Sequence, residues 1–264
     1  MRLVWQSLCV SHASRALYDI IGWYLKSKSA HVEYCPGALS IGLIQLVEVL
    51  QATLTISEAK MSSYKLIYFN GKGRAETARF MFAVAKQQYE DKRVSGEEWA
   101  EVKKSLLFGQ VPVLEVDGVQ LTQSCAINRF LAKRLNLYGN DDMEAAKIDQ
   151  VCEALVDLGI VLRDCLHEQD EDRKKMLHKK LLETQAPRHF AGLVKLLDAN
   201  GGDGFFVGNK VSLADLDAAS YFLDMVTRVP DLKLNEPKLV AHLERMKAIP
   251  ELADWLKKRP ESPF

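Results

Sequence analysis

Residues 111–122, VPVLEVDGVQLT, constrain the fold more than any other stretch of the chain. Two runs of strand-forming residues are separated there by Asp117-Gly118, the strongest short-range signal for a β-hairpin with a two-residue loop. The segments before this hairpin alternate between strand and helix patterns, which predicts a sheet covered by helices. The predicted elements are a strand at 63–69, a helix at 74–87, a strand at 88–94 and a short helix at 97–104.

After the hairpin, Ser124 is predicted to cap a helix that runs to about Leu135. The order is therefore βαβ followed by ββα, within about 75 residues. No convincing strand pattern follows residues 136–142. Residues Ser212-Leu213-Ala214-Asp215 form a capping box with Asp in place of Glu, and we expect this box to have a structural role at a helix start. The sequence predicts a small α/β domain followed by a larger all-α domain. Its helical periods lie at 143–168, 171–199, 212–228, 236–247 and 250–258.

Residues 1–60 differ from the rest of the chain, and Met61 is a natural second start. The first 28 residues contain four basic side chains and one acid, which favours a mitochondrial transit peptide. Residues 37–56 are long enough to span a bilayer, but Glu48 would place a carboxylate past the middle of the span. We interpret 1–60 as a leader or appended segment without a fixed fold; a transit peptide and a membrane anchor are the alternatives.

Charge and cysteine content restrict the classes of partner. Lys+Arg and Asp+Glu both number 35, so the chain has no overall field that would attract nucleic acid or an anionic membrane. The five cysteines include no Cys-x-x-Cys pair, which is typical of a reducing compartment. The six histidines form no metal-binding motif. These observations predict a cytoplasmic protein without metal that recognises its ligand locally.

The first strand ends at Tyr68 and runs through residues 70–74, NGKGR, into a helix. Strand ends that lead into helix N-termini are common ligand sites in α/β folds. A dinucleotide-binding loop would require a third glycine where Glu76 stands, and the Gly-Lys-Ser/Thr of a P-loop is absent. Gly71 and Gly73 are therefore interpreted as residues that allow a sharp turn.

Val111-Pro112 opens a strand at a point where proline cannot donate a ladder hydrogen bond. A cis bond at Pro112 would leave the N–H and C=O of Val111 available to an antiparallel peptide. Gln123-Ser124 stands at a helix N-terminus, which favours a carboxylate. Cationic and stacking groups are present on two other segments: Arg74, Trp99 and Lys103. Together these groups suit a small, extended peptide with two negative charges.

Six motifs in combination identify a family: Y-F-N-x-x-G-R-A-E, W-x-x-x-K, F-G-Q-V-P-V-L-E-V-D-G, L-x-Q-S, S-L-A-D and the final K-R-P. They resemble the cytosolic glutathione transferases, and the placement of the tyrosine and of the Gln-Ser pair resembles the sigma class. The resemblance covers 61–264 and none of 1–60. It implies a thioredoxin-like, glutathione-binding α/β domain at 61–137. It also implies an all-α domain at 143–264 with the electrophile pocket and the dimer contacts.

The resemblance also implies a role for each matching residue, with glutathione as co-substrate. Tyr68 would activate the thiol, with Arg74 supporting Tyr68 and the sulfur end. Asp157 would reach the γ-glutamyl amine bound by the partner subunit, so a homodimer is expected. The remaining contacts would be Trp99 and Lys103 to the glycyl carboxylate, Gly109, Gln110 and Val111 to the cysteinyl backbone, and Gln123 and Ser124 to the γ-glutamyl carboxylate.

The expected function is conjugation of glutathione to electrophilic small molecules in detoxification. One alternative is glutathione-dependent isomerisation of prostaglandin H to prostaglandin D. Asp164 stands where the prostaglandin synthase branch carries a tryptophan, and Val156 stands where it carries an acid, so both count against this alternative. Another alternative is a non-enzymatic carrier of haem or apolar ligands, or a crystallin-like structural protein. Such proteins tend to lose the glutathione contacts, which this chain keeps.

Several of these residues also have a plain structural interpretation. Tyr68 could fill the core as a strand aromatic, and Trp99 could anchor a helix, with Lys103 a solvated charge one turn later. Cys125 could be a reactive thiol at a helix N-terminus, although a small buried residue is the simpler interpretation. Asp157 could be an ordinary surface acid.

Overall fold

The computed structural model describes residues 62–262; the predictions for 1–60 lie outside the described residues. Within the described part, a four-stranded sheet in the order β2-β1-β3-β4 forms the first half of the fold. β1 and β2 are parallel, whereas β1–β3 and β3–β4 are antiparallel. This is the predicted thioredoxin-like arrangement. The strands are β1 (Tyr64–Phe69), β2 (Glu90–Val94), β3 (Val113–Val116) and β4 (Val119–Thr122).

Both faces of β1 are covered, which explains its nearly continuous apolar sequence. Leu66 and Tyr68 belong to the main core, whereas Ile67 belongs to a second cluster with Val94 and Val113. Alternate side chains of a strand point to opposite faces, so the sheet separates the two clusters. The covering helices are α1 (Glu76–Val84), which follows a 3-10 turn at Gly73–Ala75, α2 (Gly96–Ser105) and α3 (Ser124–Arg134).

The predicted cap of α3 was wrong. Gln123 occupies the N-cap position with φ of 69° and makes no side-chain capping bond, and Ser124 is the first helical residue. A Ser hydroxyl is a frequent cap, but the cap position is decided by where the backbone leaves the helix. Here the backbone leaves the helix at Gln123, whose φ is positive, and this is one residue before the predicted cap at Ser124. The predicted cis peptide bond at Val111-Pro112 is confirmed.

The second half is helical, as predicted. Asp141 caps the longest helix by accepting a bond from the Glu144 N–H. The predicted period at 171–199 is helical throughout, but it contains a π turn at Leu181–Gln185. Pro187, just beyond this turn, has no N–H for the preceding turn and would clash with a carbonyl four residues back, which a wider turn relieves. The helices are α4 (Asp142–His167), α5 (Glu171–Lys180), α6 (Ala186–Ala199), α7 (Leu213–Arg228), α8 (Pro237–Lys247) and α9 (Pro250–Lys258).

The predicted capping box at the start of α7 is confirmed and lies deep in the core. Ser212 and Asp215 are 3% and 0% exposed, and Asp215 Oδ2 accepts bonds from both the N–H and the hydroxyl of Ser212. Its other oxygen accepts from the Phe206 N–H and contacts His242 Nε2. One carboxylate therefore joins the loop before α7, α7 itself and α8.

Helix α1 connects the two halves. The buried Glu76 accepts bonds from Trp255 Nε1 and Arg259 Nη1, both at 3.0 Å, at the end of the chain. Thr77, one residue later, donates to Asp217 on α7 at 2.7 Å. The turn that follows Tyr68 is thus held from the helical half of the fold. None of the helices among residues 62–262 is both long enough and apolar enough to cross a membrane.

Candidate active site

Tyr68 stands at the end of β1 with its ring in the core and its hydroxyl at the following turn. The residue is 9% exposed, and its Oη accepts a 3.3 Å hydrogen bond from the backbone N–H of Arg74. A phenol has one proton to donate as well as lone pairs that accept. Since the Arg74 N–H uses a lone pair, the Tyr68 proton remains for an acceptor placed at the turn. The Tyr68 ring therefore has the packing role, while the Tyr68 hydroxyl is available for the functional role.

The turn after β1 requires glycine at one of the two predicted positions. Gly73 has φ of 39°, and a Cβ atom there would lie 2.7 Å from the Tyr68 Oη. A side chain at Gly73 would therefore need both a strained backbone and displacement of the tyrosine hydroxyl. Gly71 does not have a positive φ; its carbonyl oxygen accepts a 2.6 Å bond from Arg79 Nη1.

Sheet register brings three of the predicted segments together. The first residue of β3 pairs with Ile67 of β1 and with the last residue of β4. The residues immediately beyond these three paired positions are Tyr68, Pro112 and Gln123. Because paired strands hold their ends side by side, these residues lie along one edge of the sheet. Val111 precedes Pro112 at this edge, and Ser124 follows Gln123 at the start of α3.

Trp99, Lys103 and Gly109 are linked to this edge through packing. The Trp99 ring meets the ring of Phe69, the last residue of β1, edge-on at 4.9 Å. Trp99 therefore has the predicted packing role, which does not prevent it from also contacting a ligand. Gly109 has φ of 58°, and a Cβ there would stand 3.2 Å from Lys103 Cε, so the lysine stem lies against Gly109. Gln110 is exposed beside them.

Two of the predicted site residues, Arg74 and Asp157, are exposed, and no side-chain contact connects them to Tyr68 among the described residues. Arg74 contacts Tyr68 through its backbone N–H, while the residue as a whole is exposed. Asp157 is exposed on α4, as either a surface acid or a group reaching a partner subunit would be. The Asp164 side chain is also exposed and pairs with Arg163 at 3.0 Å.

Two arginines near Tyr68 were missed by the sequence reasoning. The Arg79 side chain is completely buried, and its guanidinium carbon lies 5.9 Å from the centre of the Tyr68 ring. Arg228, at the end of α7, places Nη2 3.5 Å from where a Gly73 Cβ would stand. Glu76 and Arg79 are spaced as a helical ion pair, so a signal for Arg79 existed. No local pattern connects Arg228 with a turn more than 150 residues away.

Cys125 lacks the properties of a reactive thiol. Burial, followed by the nearby carboxylates of Asp217 and Glu153, raises the pKa of the Cys125 thiol. The thiolate is the reactive form, so a raised pKa suppresses reaction at neutral pH. This favours the interpretation of Cys125 as a small packing residue. Among residues 62–262 there is no group of three or more His, Cys, Asp or Glu side chains that could hold a metal ion.

The carboxyl group of Asp217, on α7, faces α1 and α4 in an environment that disfavours its charged form. Burial raises its pKa to about 6, although hydrogen bonds from Thr77 and Cys152 and the charge of Arg129 act in the opposite direction. Glu153 also faces it and contributes to the increase. The folded protein therefore holds the Asp217 proton more tightly than the unfolded chain does.

We expect Asp217→Asn to increase the free energy of unfolding by about 1–3 kcal/mol at neutral pH, because no charge is then buried. In the parent, the contribution of Asp217 to stability falls as the pH rises from about 4 to about 6, and Asp217→Asn removes that fall. Urea unfolding across this range measures the difference. Asp203→Asn, at an exposed loop position, should leave the profile unchanged. A parallel pH profile for Asp217→Asn and the parent would contradict the assignment.

Comparison with known protein families matches both halves of the fold. The family model described as "Glutathione S-transferase, N-terminal domain" matches residues 64–133, and the one described as "Glutathione S-transferase, C-terminal domain" matches residues 157–259. The first match contains the Tyr68 turn, the cis-proline and the start of α3. The second contains the C-terminal part of α4 and also α7 and α9, which pack on α1.

Individual relatives agree with the family models. The chain is 39% identical to the Hematopoietic prostaglandin D synthase of Homo sapiens, over 76% of this chain and 99% of that protein. It is 37% identical to S-crystallin SL11 of Nototodarus sloanii, over 77% of this chain and all of that protein. Among solved structures, a Nu-class GST from Haemonchus contortus superposes with a TM-score of 0.71 at 38% identity, over 77% of this chain and all of that one. Since these matches span the sheet, the tyrosine turn and the helical half in one continuous order, the chain belongs to the glutathione S-transferase family.

Proposed function

We propose that this chain transfers the thiolate of glutathione to electrophilic small molecules and that the Tyr68 hydroxyl stabilises the thiolate. The observation that carries the proposal is the geometry at Tyr68 Oη, which accepts a bond from the Arg74 N–H and keeps its own proton for donation. A sulfur placed at the sheet edge would accept that proton in a hydrogen bond. Tyr68 then acts as a neutral donor and not as a base.

The energy that this role requires is available from the site. A free thiol has a pKa of about 8.5, and lowering it to about 6.5 takes roughly 2.7 kcal/mol of thiolate stabilisation. One hydrogen bond to a charged group contributes about 1.5–3 kcal/mol. The N-terminus of the helix that begins at Glu76 acts in the same direction. The positive charge of Arg228 contributes less, because its side chain pairs with Asp224 at 2.7 Å.

We assign the glutathione contacts to the residues at and near the sheet edge. The cis bond at Pro112 leaves the backbone of Val111 at that edge, where an extended peptide can pair with it. Ser124, in the first turn of α3, offers N–H groups to the γ-glutamyl carboxylate. The glycyl carboxylate is assigned to Trp99 and Lys103. The remaining contacts are assigned to Gly109, Gln110 and Gln123.

We assign the electrophile to a cavity of about 340 Å³ at the far end of α4. Cys165 and Leu166 of α4, together with Val229 and Pro230 after α7, provide an apolar part of its lining. Arg228 lines the same cavity and also reaches Gly73, so it connects the cavity to the Tyr68 turn. All of the residues that line this cavity belong to the all-α domain, to which the resemblance assigns the electrophile pocket.

We further propose a cytoplasmic homodimer that acts in detoxification. Support for the dimer is the exposed position of Asp157, which leaves its carboxylate available for the γ-glutamyl amine of glutathione bound to a partner subunit. Support for the cytoplasm is the cysteine content, which fits a reducing compartment. Support for detoxification is the family membership, together with an electrophile cavity whose lining combines apolar residues with basic ones such as Lys174 and Lys175.

The proposal is tested by following conjugation of glutathione to chlorodinitrobenzene by the purified 264-residue chain. We expect saturable conjugation and glutathione binding that can be measured by calorimetry. Binding without conjugation, combined with conversion of prostaglandin H to prostaglandin D, would replace the proposal with the isomerase function. Binding without either reaction would favour the carrier or structural function. Absence of glutathione binding would contradict the site assignment itself.

Gly73→Ala is expected to lower kcat/KM for this conjugation by at least about tenfold, because the new methyl group displaces the Tyr68 hydroxyl and loses about 1.4 kcal/mol or more of transition-state stabilisation. Steady-state kinetics at varied glutathione concentration measures the loss. Gly96→Ala is the matched control, since a Cβ at Gly96 meets nothing within 4 Å. Equal activity of the two variants would show that the Tyr68 hydroxyl position is not critical.

A further inference from the structure

Arg228, the last residue of α7, lies where the cavity assigned to the electrophile approaches the Tyr68 turn. Its Nη2 atom would be 3.5 Å from a Cβ at Gly73, and the Tyr68 Oη would be 2.7 Å from the same point. Nη2 and Oη are therefore at most about 6 Å apart, the span of two hydrogen bonds of about 2.9 Å each. A group that reacts beside Tyr68 can thus also meet Arg228.

The guanidinium of Arg228 is accessible to a ligand in this cavity. The Arg228 side chain is 28% exposed and is part of the cavity lining. Apolar groups of the same lining come from Cys165, Leu166, Val229 and Pro230. A hydrophobic electrophile in the cavity therefore contacts apolar groups and, at the Tyr68 turn, a cationic hydrogen-bond donor.

An ion pair holds this guanidinium and balances its charge. Asp224, one turn earlier on α7, places Oδ2 2.7 Å from Arg228 Nε. The two side chains together carry no net charge, so the pair gives little attraction for a substrate that is already anionic. An arginine has five N–H groups, so Nε can serve the carboxylate while Nη2, close to Gly73, donates to a substrate. The arrangement therefore suits a neutral substrate that becomes negative during the reaction.

Addition of a thiolate to an α,β-unsaturated aldehyde or ketone develops such a charge. The electron pair of the sulfur forms the S–C bond at the β-carbon, and the carbon–carbon π pair moves to join the α-carbon to the carbonyl carbon. The carbonyl π pair moves to the oxygen, which becomes an enolate. A proton from water then reaches the α-carbon and restores the carbonyl. Negative charge thus passes from the sulfur, beside Tyr68, to an oxygen three bonds from the attacked carbon.

We propose that Arg228 is a further catalytic residue, which donates a hydrogen bond to the carbonyl oxygen of α,β-unsaturated aldehydes and ketones. This role rests on the proposed function, because the sulfur that attacks is the thiolate held at Tyr68. The hydrogen bond strengthens as the enolate forms, so it stabilises the transition state more than the bound substrate. Alkyl halides develop charge on the departing halide and not on an oxygen, so they gain less from Arg228.

Conjugation of glutathione to hexenal and to iodohexane, two neutral electrophiles of equal chain length, tests the role of Arg228. Loss of the enal absorbance follows the first reaction, and release of iodide follows the second. Arg228→Met removes the donor and keeps an unbranched apolar side chain. We expect it to lower kcat/KM for hexenal about 100-fold, the size found when one oxyanion donor is removed. The loss with iodohexane should be at least about tenfold smaller, because no oxyanion forms.

Two further variants separate this role from general effects. Tyr68→Phe acts on the sulfur and should lower kcat/KM for both electrophiles by the same factor. Arg188→Met removes an exposed arginine of α6 that lies outside the cavity lining, and it should leave both activities at the parental level. The pH midpoint of kcat/KM for hexenal should be the same in Arg228→Met as in the parent, because Tyr68 stabilises the thiolate in both.

The outcomes distinguish a failure of this role from a failure of the proposed function. Equal losses for the two electrophiles in Arg228→Met, or a midpoint shifted to higher pH, would overturn the role, since Arg228 would not act on the carbonyl oxygen. A parent chain that conjugates chlorodinitrobenzene but not hexenal would overturn it as well, and the proposed function would stand. A parent chain that conjugates none of the three electrophiles would contradict the proposed function and the role of Arg228 together.

Discussion

Tyr68→Phe is expected to lower kcat/KM for glutathione conjugation about 100-fold while glutathione binding is retained. The change removes one hydrogen bond to a charged sulfur, which contributes about 1.5–3 kcal/mol, and each 1.36 kcal/mol is a factor of ten in rate. The same loss raises the pKa of the bound thiol by about one to two units. The pH dependence of kcat/KM therefore shifts to higher pH in the variant, and its midpoint measures that shift.

Tyr64→Phe is the matched control for this experiment. Tyr64 lies on the same strand and is also buried, and its ring contacts Phe82 at 5.6 Å in the core. We expect nearly parental activity from it. If both variants lost activity to the same extent, the effect would come from the packing of β1. If Tyr68→Phe kept the parental pH profile, another donor would have to stabilise the thiolate, and Arg228 would be the first to examine.

Asp215→Ala is expected to lower the free energy of unfolding by about 3–5 kcal/mol, the size found when one partner of a buried, charged network is removed. Asp215 is fully buried, and its carboxylate meets the Phe206 N–H, both donors of Ser212, and His242 Nε2 at distances of 2.7–2.9 Å. All of these groups would be left inside the protein without that partner. Urea unfolding followed by far-UV circular dichroism measures the change.

The control for Asp215→Ala is another acid of the helical half in a different environment. The Asp231 side chain is 75% exposed and lies 3.9 Å from His178. Because exposed pairs contribute little, Asp231→Ala should change the free energy of unfolding by no more than about 0.5 kcal/mol. A loss of less than about 1 kcal/mol in Asp215→Ala would show that water replaces the missing carboxylate and that the box is not needed to join α7 and α8.

Features whose signal is local in the chain were predicted correctly. The hairpin around Asp117-Gly118, the cis bond at Pro112 and the capping box at Ser212 each depend on a few neighbouring residues. The helix start at Ser124 was predicted one residue too late, because residue preference does not report where a backbone such as that of Gln123 turns. The π turn before Pro187 was missed, since the helical period around it is uninterrupted.

The residues of the candidate site also fall into two groups, those with a local signal in the sequence and those without one. Tyr68 and Gly73 could be identified from a strand that leads through glycines into a helix, and the motifs around Pro112 and Ser124 supported them. Arg79 was overlooked as one charge on an amphipathic helix. Arg228 and Asp217 could not have been found, because their partners at Gly73 and Thr77 belong to the other half of the chain.

By itself, the sequence determined the order of strands and helices, the turn after Tyr68, the cis-proline and the family, since each depends on residues that are neighbours in the chain. Only the tertiary structure decided which side chains surround the tyrosine and which polar groups are buried without a partner. Those properties depend on the approach of segments more than 100 residues apart, as when Arg259 reaches Glu76 or Arg228 reaches Gly73. No local pattern encodes such contacts, because burial and desolvation arise only when the two halves of the fold pack together.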